Sequence, residues 1–169
     1  KKMVDDAVDG GADFIKFQTY VADKRYDKKN PKYDEFTNLV KKWQFSKNVE
    51  KDLWVYAQKK GARVLTSVYD EESVEFANSL GTLAFKVAAF ELNNKKLIKK
   101  ILDYKKPIII SCGMTNFDEI DELVNLLERN KAQFILLHTV SSYPLEEKNS
   151  YLLKIRKLRD RYKCPVGHS

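Results

Sequence analysis

The stretch PIIISCGMTNFDEIDELVNLLERNKAQFILLH, Pro107–His138, holds one complete strand–helix–strand pattern. Pro107–Ser111 and Phe134–His138 are nearly continuous apolar runs of strand length, as expected of parallel strands covered on the outside by helices. Between them Phe117–Arg129 carries Ile120, Leu123, Val124 and Leu127 at three- and four-residue spacing, which predicts an amphipathic helix. Pro107 opens its strand, where no ladder donor is lost.

The pattern repeats in both directions. Further strands are expected at Phe14–Gln18, Arg63–Ser67, Ala84–Ala88 and a short Pro165–His168, and helices at Val49–Lys60, Glu71–Ser79, Lys95–Leu102 and Ser150–Tyr162. Gly10–Gly11, Gly61 and Gly81 precede strands, as helix-ending glycines do. From the third strand onward the units recur every ~20–30 residues, the spacing of a (β/α)8 TIM barrel or of a doubly wound sheet. No G-x-G-x-x-G or G-x-x-x-x-G-K-[ST] follows any strand, which lowers the doubly wound nucleotide-binding option. The fold expected is an α/β TIM barrel. Six strands cannot close it, so residues 1–169 are expected to form a partial catalytic barrel domain spanning about strands 2 to 7.

Composition narrows the class. The chain has 169 residues, of which 43% are hydrophobic and 33% charged, a balance suited to a globular domain rather than to disorder. No apolar run approaches the ~18 residues of a membrane span, and the opening Lys1–Lys2 leads into an amphipathic segment rather than a signal peptide. Cys112 and Cys164 form neither a metal-ligand pattern nor a disulfide framework, so a cytoplasmic location is expected. The formal charge is +7. Its lysines lie mostly in helical surface positions, such as Lys41–Lys42, Lys59–Lys60 and Lys95–Lys96, interleaved with acids. They are read as a solvated surface, with no nucleic-acid partner expected.

In a barrel the working residues sit at the C-terminal ends of strands and in the loops that follow. Those positions hold Lys16, Gln18, Ser67, Lys86, Glu91, Ser111, Ser141 and Tyr143. A lysine within a helix-covered strand has no cheap place on the outer face. Lys16 alternates with Ile15 and Phe17, and Lys86 with Phe85 and Val87, so both are expected to point into the barrel mouth. Two ammonium groups with several hydroxyls make a receptor for a small polyanion, phosphate plus carboxylate. The competing reading is that both lysines snorkel to solvent. Glu91 is a candidate for positioning or acid–base work. Cys112 reads as a packing thiol, and His138 as a hydrogen-bonded structural residue rather than a ligand. No pair of histidines has ligand spacing, so no metal site is assigned within the chain.

These motifs together resemble the sialic acid synthase family, which includes legionaminic and pseudaminic acid synthases and a spore-coat polysaccharide homologue. Gly11-Ala-Asp-Phe-Ile-Lys-Phe-Gln-Thr is similar to the family's G-A-D-x-[VI]-K-F-Q-[TS]. Leu65-Thr-Ser-Val-Tyr-Asp resembles S-T-x-F-D, and Phe85-Lys-Val-Ala-Ala-Phe-Glu resembles K-I-x-S-x-E. Pro107-Ile-Ile-Ile-Ser-Cys-Gly-Met is similar to P-[IV]-[IL]-[LI]-S-T-G-M. Leu136-Leu-His-Thr-Val-Ser-Ser-Tyr-Pro resembles L-L-H-C-x-S-x-Y-P, and Val166-Gly-His-Ser the start of V-G-x-S-D-H-T. The segments fall in family order along the whole chain.

The resemblance implies condensation of phosphoenolpyruvate with the open-chain aldehyde of an N-acetylhexosamine. The products are phosphate and a nine-carbon 2-keto acid. Lys16, Lys86, Ser111, Ser169 and Ser67 then correspond to residues holding phosphoenolpyruvate. Gln18, Ser141 and Tyr143 fall at polar and sugar contacts, and Glu91 at the carboxylate handling the sugar and intermediate; Glu91, Lys86 and Lys16 make up the catalytic set. A divalent metal, manganese, is implied, with its ligands in S-D-H-T and a later E-[RK]-H-F, both beyond Ser169. The first strand, the last barrel unit and a C-terminal antifreeze-like domain also fall outside residues 1–169, and a homodimer is implied for the parent. The chain alone is therefore expected to be inactive. Ala89 departs from the family by replacing a serine. A phosphoenolpyruvate–sugar-phosphate synthase of the octulosonate or heptulosonate type and a non-catalytic degenerate barrel remain as alternatives.

Overall fold

A computed structural model describes residues 1–169, in two compact units, Lys1–Leu83 and Ala84–Ser169. The first unit contains α1 (Lys2–Asp9), β1 (Phe14–Thr19), a 3-10 turn at Ala22–Lys24, α2 (Tyr33–Lys41), α3 (Lys47–Lys59), β2 (Arg63–Val68) and α4 (Glu71–Ser79). β1 and β2 are parallel, with Lys16 opposite Leu65 and Gln18 opposite Ser67. Side-chain alternation then sorts the pair into two faces. Ile15 and Phe17 pack with Val64 against Val4, Trp54 and Ala57, and the Phe17 ring stacks on Trp54 at 5.8 Å between centroids. Phe14, Lys16 and Gln18 occupy the opposite, exposed face.

α3 ends because the chain turns left-handed at Gly61, φ 83°. The Gly61 N–H donates to Gln58 O at 2.9 Å and the Ala62 N–H to Ala57 O at 3.0 Å, which satisfies the last carbonyls and turns the chain into β2.

The second unit contains β3 (Phe85–Val87), a 3-10 turn at Ala89–Glu91, α5 (Lys95–Leu102), β4 (Ile108–Ser111) and α6 (Phe117–Arg129). It continues with β5 (Phe134–His138), a 3-10 turn at Glu147–Asn149, α7 (Leu153–Tyr162) and β6 (Val166–His168). β3 to β6 are parallel neighbours in chain order; Lys86 lies opposite Ile109, Ile110 opposite Leu136, and His138 opposite His168. Phe85, Val87, Ile108, Ile110 and Leu136 share one face and are fully buried. The apolar stripes of α5 (Leu97, Ile98, Ile101) and α6 (Ile120, Leu123, Val124, Leu127) are buried as well. Each such side chain contributes ~1.5–3 kcal/mol by leaving water.

The expected elements are present with ends shifted by a few residues, and three differences have local causes. The expected pattern has no helix between β1 and α3, yet Tyr33–Lys41 forms α2, in which only Thr37 is buried. α3 starts at Lys47 rather than Val49 because Ser46 caps it, accepting from the Val49 N–H at 3.3 Å. α7 starts at Leu153 rather than Ser150 because Tyr151 adopts φ 47°, which no right-handed helix accommodates. No helix is long and apolar enough to cross a membrane.

Candidate functional site

The strand alternation places Lys16, Gln18 and Ser67 on one face of β1–β2, opposite the face that packs on helices. Gln18 is held there: the Tyr69 hydroxyl donates to its Oε1 at 2.7 Å. The Tyr69 ring in turn stands edge-on to Tyr20, and the Arg25 guanidinium lies 4.1 Å from the Tyr69 centroid and 4.7 Å from that of Tyr20. Asp70 ties the loop after β1 to α4. Its carboxylate accepts from the Val21 N–H at 2.9 Å, the Ser73 N–H at 2.8 Å and the Ser73 hydroxyl at 2.7 Å. Tyr69 and Asp70 follow Val68 at the end of Leu65-Thr-Ser-Val-Tyr-Asp, and an acid two residues past a strand, before a helix, is a legible cap.

In the second unit Lys86 stands between Phe85 and Val87 in β3 and is 9% exposed, facing away from them as the alternation requires. Ser111 ends β4 on that same face, 1% exposed, and its Oγ has no hydrogen-bond partner. Glu91 is 8% exposed in the turn after β3, and its Oε2 accepts from Asn94 Nδ2 at 2.7 Å. Asn94 is itself fixed as the cap of α5, accepting from the Leu97 N–H at 3.1 Å. A helix cap thus orients the candidate acid–base carboxyl. Reading along the chain picked out Glu91 and not Asn94; the signal was the Asn three residues before Leu97 at a helix start.

Ser141 and Tyr143 follow β5 and are exposed, Tyr143 at 90%, and Ser169 reaches the end of β5 by donating its N–H to His138 O at 2.9 Å. The loops after β4 and β5 touch at Gly113. A Cβ built there would lie 2.9 Å from Thr139 O and 3.2 Å from Ser141 Oγ, so only glycine allows the approach. His138 is 1% exposed with Nε2 2.7 Å from Ser150 O, the structural role expected of it. Cys112 is fully buried and burial pushes its thiol up to about 12, which makes it a packing residue. No three His, Cys, Asp or Glu side chains are grouped to hold a metal ion.

The arrangement is that of parallel strands presenting ammonium, hydroxyl and carboxyl groups at their C-terminal ends, which suits small anionic and polyhydroxylated ligands. The chain is similar to several known proteins. N,N'-diacetyllegionaminic acid synthase of Campylobacter jejuni is 35% identical over 182 aligned positions, covering 100% of this chain and 54% of that protein. A crystal structure of N-acetylneuraminic acid synthetase from Leptospira borgpetersenii superposes with a TM-score of 0.92 at 32% identity, over 99% of this chain and 57% of that one. A heptulosonate-type aldolase, the DAHP synthase of Thermotoga maritima, shares the fold alone, with a TM-score of 0.66 at 16% identity over 99% of this chain and 45% of that one. The chain spans about half the length of the relatives it matches. The fold is accordingly an α/β one, an incomplete (β/α) barrel. Residues 3–169 match the NeuB family model, so nearly every position from the opening helix to the last strand is accounted for, and the chain belongs to the NeuB family.

Proposed function

We propose that the parent protein condenses phosphoenolpyruvate with the open-chain aldehyde of an N-acetylated amino sugar, giving a nine-carbon 2-keto acid and phosphate. The observation that carries this reading is the buried, unpartnered Ser111 hydroxyl on the same strand face as the buried Lys86. A hydroxyl without a partner in a dry site costs ~1–3 kcal/mol, and a bound oxyanion would relieve that cost. The Leptospira relative was solved with citrate, a small polyanion, and the relatives are named as an N-acetylneuraminic acid synthetase and an N,N'-diacetyllegionaminic acid synthase.

In this reading Lys16, Lys86, Ser67, Ser111 and Ser169 hold the phosphate and carboxylate of phosphoenolpyruvate. Gln18, Ser141 and Tyr143 contact the sugar, and Glu91 moves a proton at the sugar aldehyde and at the later intermediate. The methylene carbon of phosphoenolpyruvate attacks the aldehyde carbon, and the aldehyde oxygen takes up a proton. Water adds at the former enol carbon, and the tetrahedral intermediate loses phosphate to leave the keto group. The ammonium groups keep the leaving phosphate's charge neutralised throughout. A divalent cation, manganese, takes its ligands from outside residues 1–169, and the parent acts in the cytoplasm as a homodimer.

The test is direct. Incubated with phosphoenolpyruvate, manganese and a panel of N-acetylhexosamines, free and 6-phosphorylated, the full-length parent is expected to release one phosphate per keto acid formed. Residues 1–169 alone are expected to release none. Silence of the parent with every sugar refutes the proposal. Turnover with arabinose 5-phosphate or erythrose 4-phosphate instead transfers it to the sugar-phosphate synthases.

A further inference from the structure

We infer that Glu50 is a positioning residue, one that acts through Thr19 and Thr66 to set the C-terminal ends of β1 and β2, and hence the placement of Gln18 and Ser67 for substrate. The inference rests on the functional reading above, and it begins from an oddity of burial. Glu50, one turn into α3, is 4% exposed, among the positions where a carboxyl is least at home. Its Oε1 accepts a short hydrogen bond from the Thr19 hydroxyl. Thr19 Oγ1 lies 2.8 Å from Thr66 Oγ1, and the Thr66 hydroxyl is 3.2 Å from Ser67 O. Thr19 is 4% exposed and Thr66 0%.

The placement of this chain matters more than its existence. Elsewhere α3 packs on the strands through Trp54 and Ala57, in an apolar cluster with Val64 and Phe17. Only at the strand ends does the packing become polar, and there each threonine adjoins a candidate site residue. Thr19 follows Gln18 and Thr66 precedes Ser67, and Gln18 and Ser67 are register partners. Backbone alternation sends the threonines to the helix side and their neighbours to the site side. An oxygen–oxygen contact fixes its distance far more sharply than apolar packing does, and a fully satisfied buried network adds rigidity and a unique arrangement. The proton count closes when Thr19 donates to Glu50 and Thr66 donates to Thr19, with Ser67 O a longer second acceptor. Burial pushes the Glu50 carboxyl up, the Thr19 hydroxyl working against it.

The test uses the full-length parent with Glu50→Gln, which keeps an acceptor oxygen, and Glu50→Leu, which fills the volume without one. Thr19→Val, which removes only the hydroxyl, completes the set. Loss of uniform substrate binding raises KM more than it lowers kcat, so Glu50→Leu and Thr19→Val are expected to raise the KM for phosphoenolpyruvate by at least ~10-fold with a smaller change in kcat. Glu50→Gln is expected to stay within ~3-fold of the parent, because it retains the accepting atom. In the two damaging variants amide hydrogen exchange is expected to quicken at residues 18–20 and 66–68 and to stay unchanged in α6. Unchanged KM and exchange in folded Glu50→Leu or Thr19→Val overturns the inference. So does Glu50→Gln behaving like Glu50→Leu, since charge and not geometry would then be at work. Should Glu50→Leu fail to fold, Thr19→Val carries the decision. A parent that turns over no sugar removes the functional reading, whereas the exchange measurement still judges the strand ends.

Discussion

At Ser111 stability and activity are expected to part. Its hydroxyl is buried without a partner, so replacing it by alanine removes an unsatisfied group from the fold and opens almost no cavity. Ser111→Ala is expected to leave the unfolding free energy unchanged or raise it by up to ~1 kcal/mol, while kcat/KM for phosphoenolpyruvate falls about tenfold or more. Denaturant unfolding and steady-state kinetics on the same preparation check this; a matched loss of stability would make Ser111 a structural residue. Lys16, Gln18, Lys86 and Ser111 were legible along the chain because a strand's two-residue period tells which side each must face. Glu50 was not. An acid in the first turns of a helix ordinarily sits in solvent, and only tertiary packing reveals that this one is enclosed.

Among the elements, α6 shows how local chemistry fixes an edge of the site. Asn116 caps it by accepting from the Glu119 N–H at 2.9 Å, while Glu119 accepts from the Asn116 N–H at 2.8 Å and from Asn93 Nδ2 at 2.6 Å. At the helix flank Asp121 receives Arg161 Nε at 2.9 Å and the Tyr162 hydroxyl at 2.7 Å, which ties α6 to α7. Asn116→Ala is expected to cost ~1 kcal/mol, read as a lower denaturant midpoint with unchanged slope. A wild-type midpoint would show the cap to be idle. Strong periodicity made α6 readable in full. α2 was passed over although Tyr33, Phe36, Leu39 and Val40 recur at helical spacing, because it is only nine residues long between charged flanks.

Over the whole molecule several basic side chains sit in surface ion pairs. Lys24 and Lys47 flank Glu72 at 2.8 and 2.7 Å, Lys41 meets Asp23 at 2.7 Å, and Lys95 meets Glu122 at 2.8 Å. The two lysines hold the Glu72 carboxyl down at about 2, and partners also lower Asp5, Asp121 and Glu122. A carboxyl with a lowered native pKa stabilises the fold above its unfolded value of 4.5 and loses that contribution as pH falls toward about 2. Glu50 has the opposite sign. Its raised value favours the folded state when protonated, so it opposes acid unfolding. The expected net result is a stability that declines between about pH 5 and 2, less steeply in Glu72→Gln. Because Glu72 is 40% exposed, salt should shrink its share. Urea midpoints across that range, at low and high ionic strength, check the sign; a flat profile contradicts it. The order of strands and helices was legible because six segments recur in sequence with consistent breakers. The pairing of carboxyls with lysines was not, since it joins residues up to 48 positions apart.

Gly113 has an evolutionary corollary. With Thr139 O and Ser141 Oγ already occupying the space a first side-chain carbon would need, every other amino acid is barred unless the neighbouring loop retreats. Change in these two loops is therefore expected to fall on residues 140–152, with position 113 held as glycine.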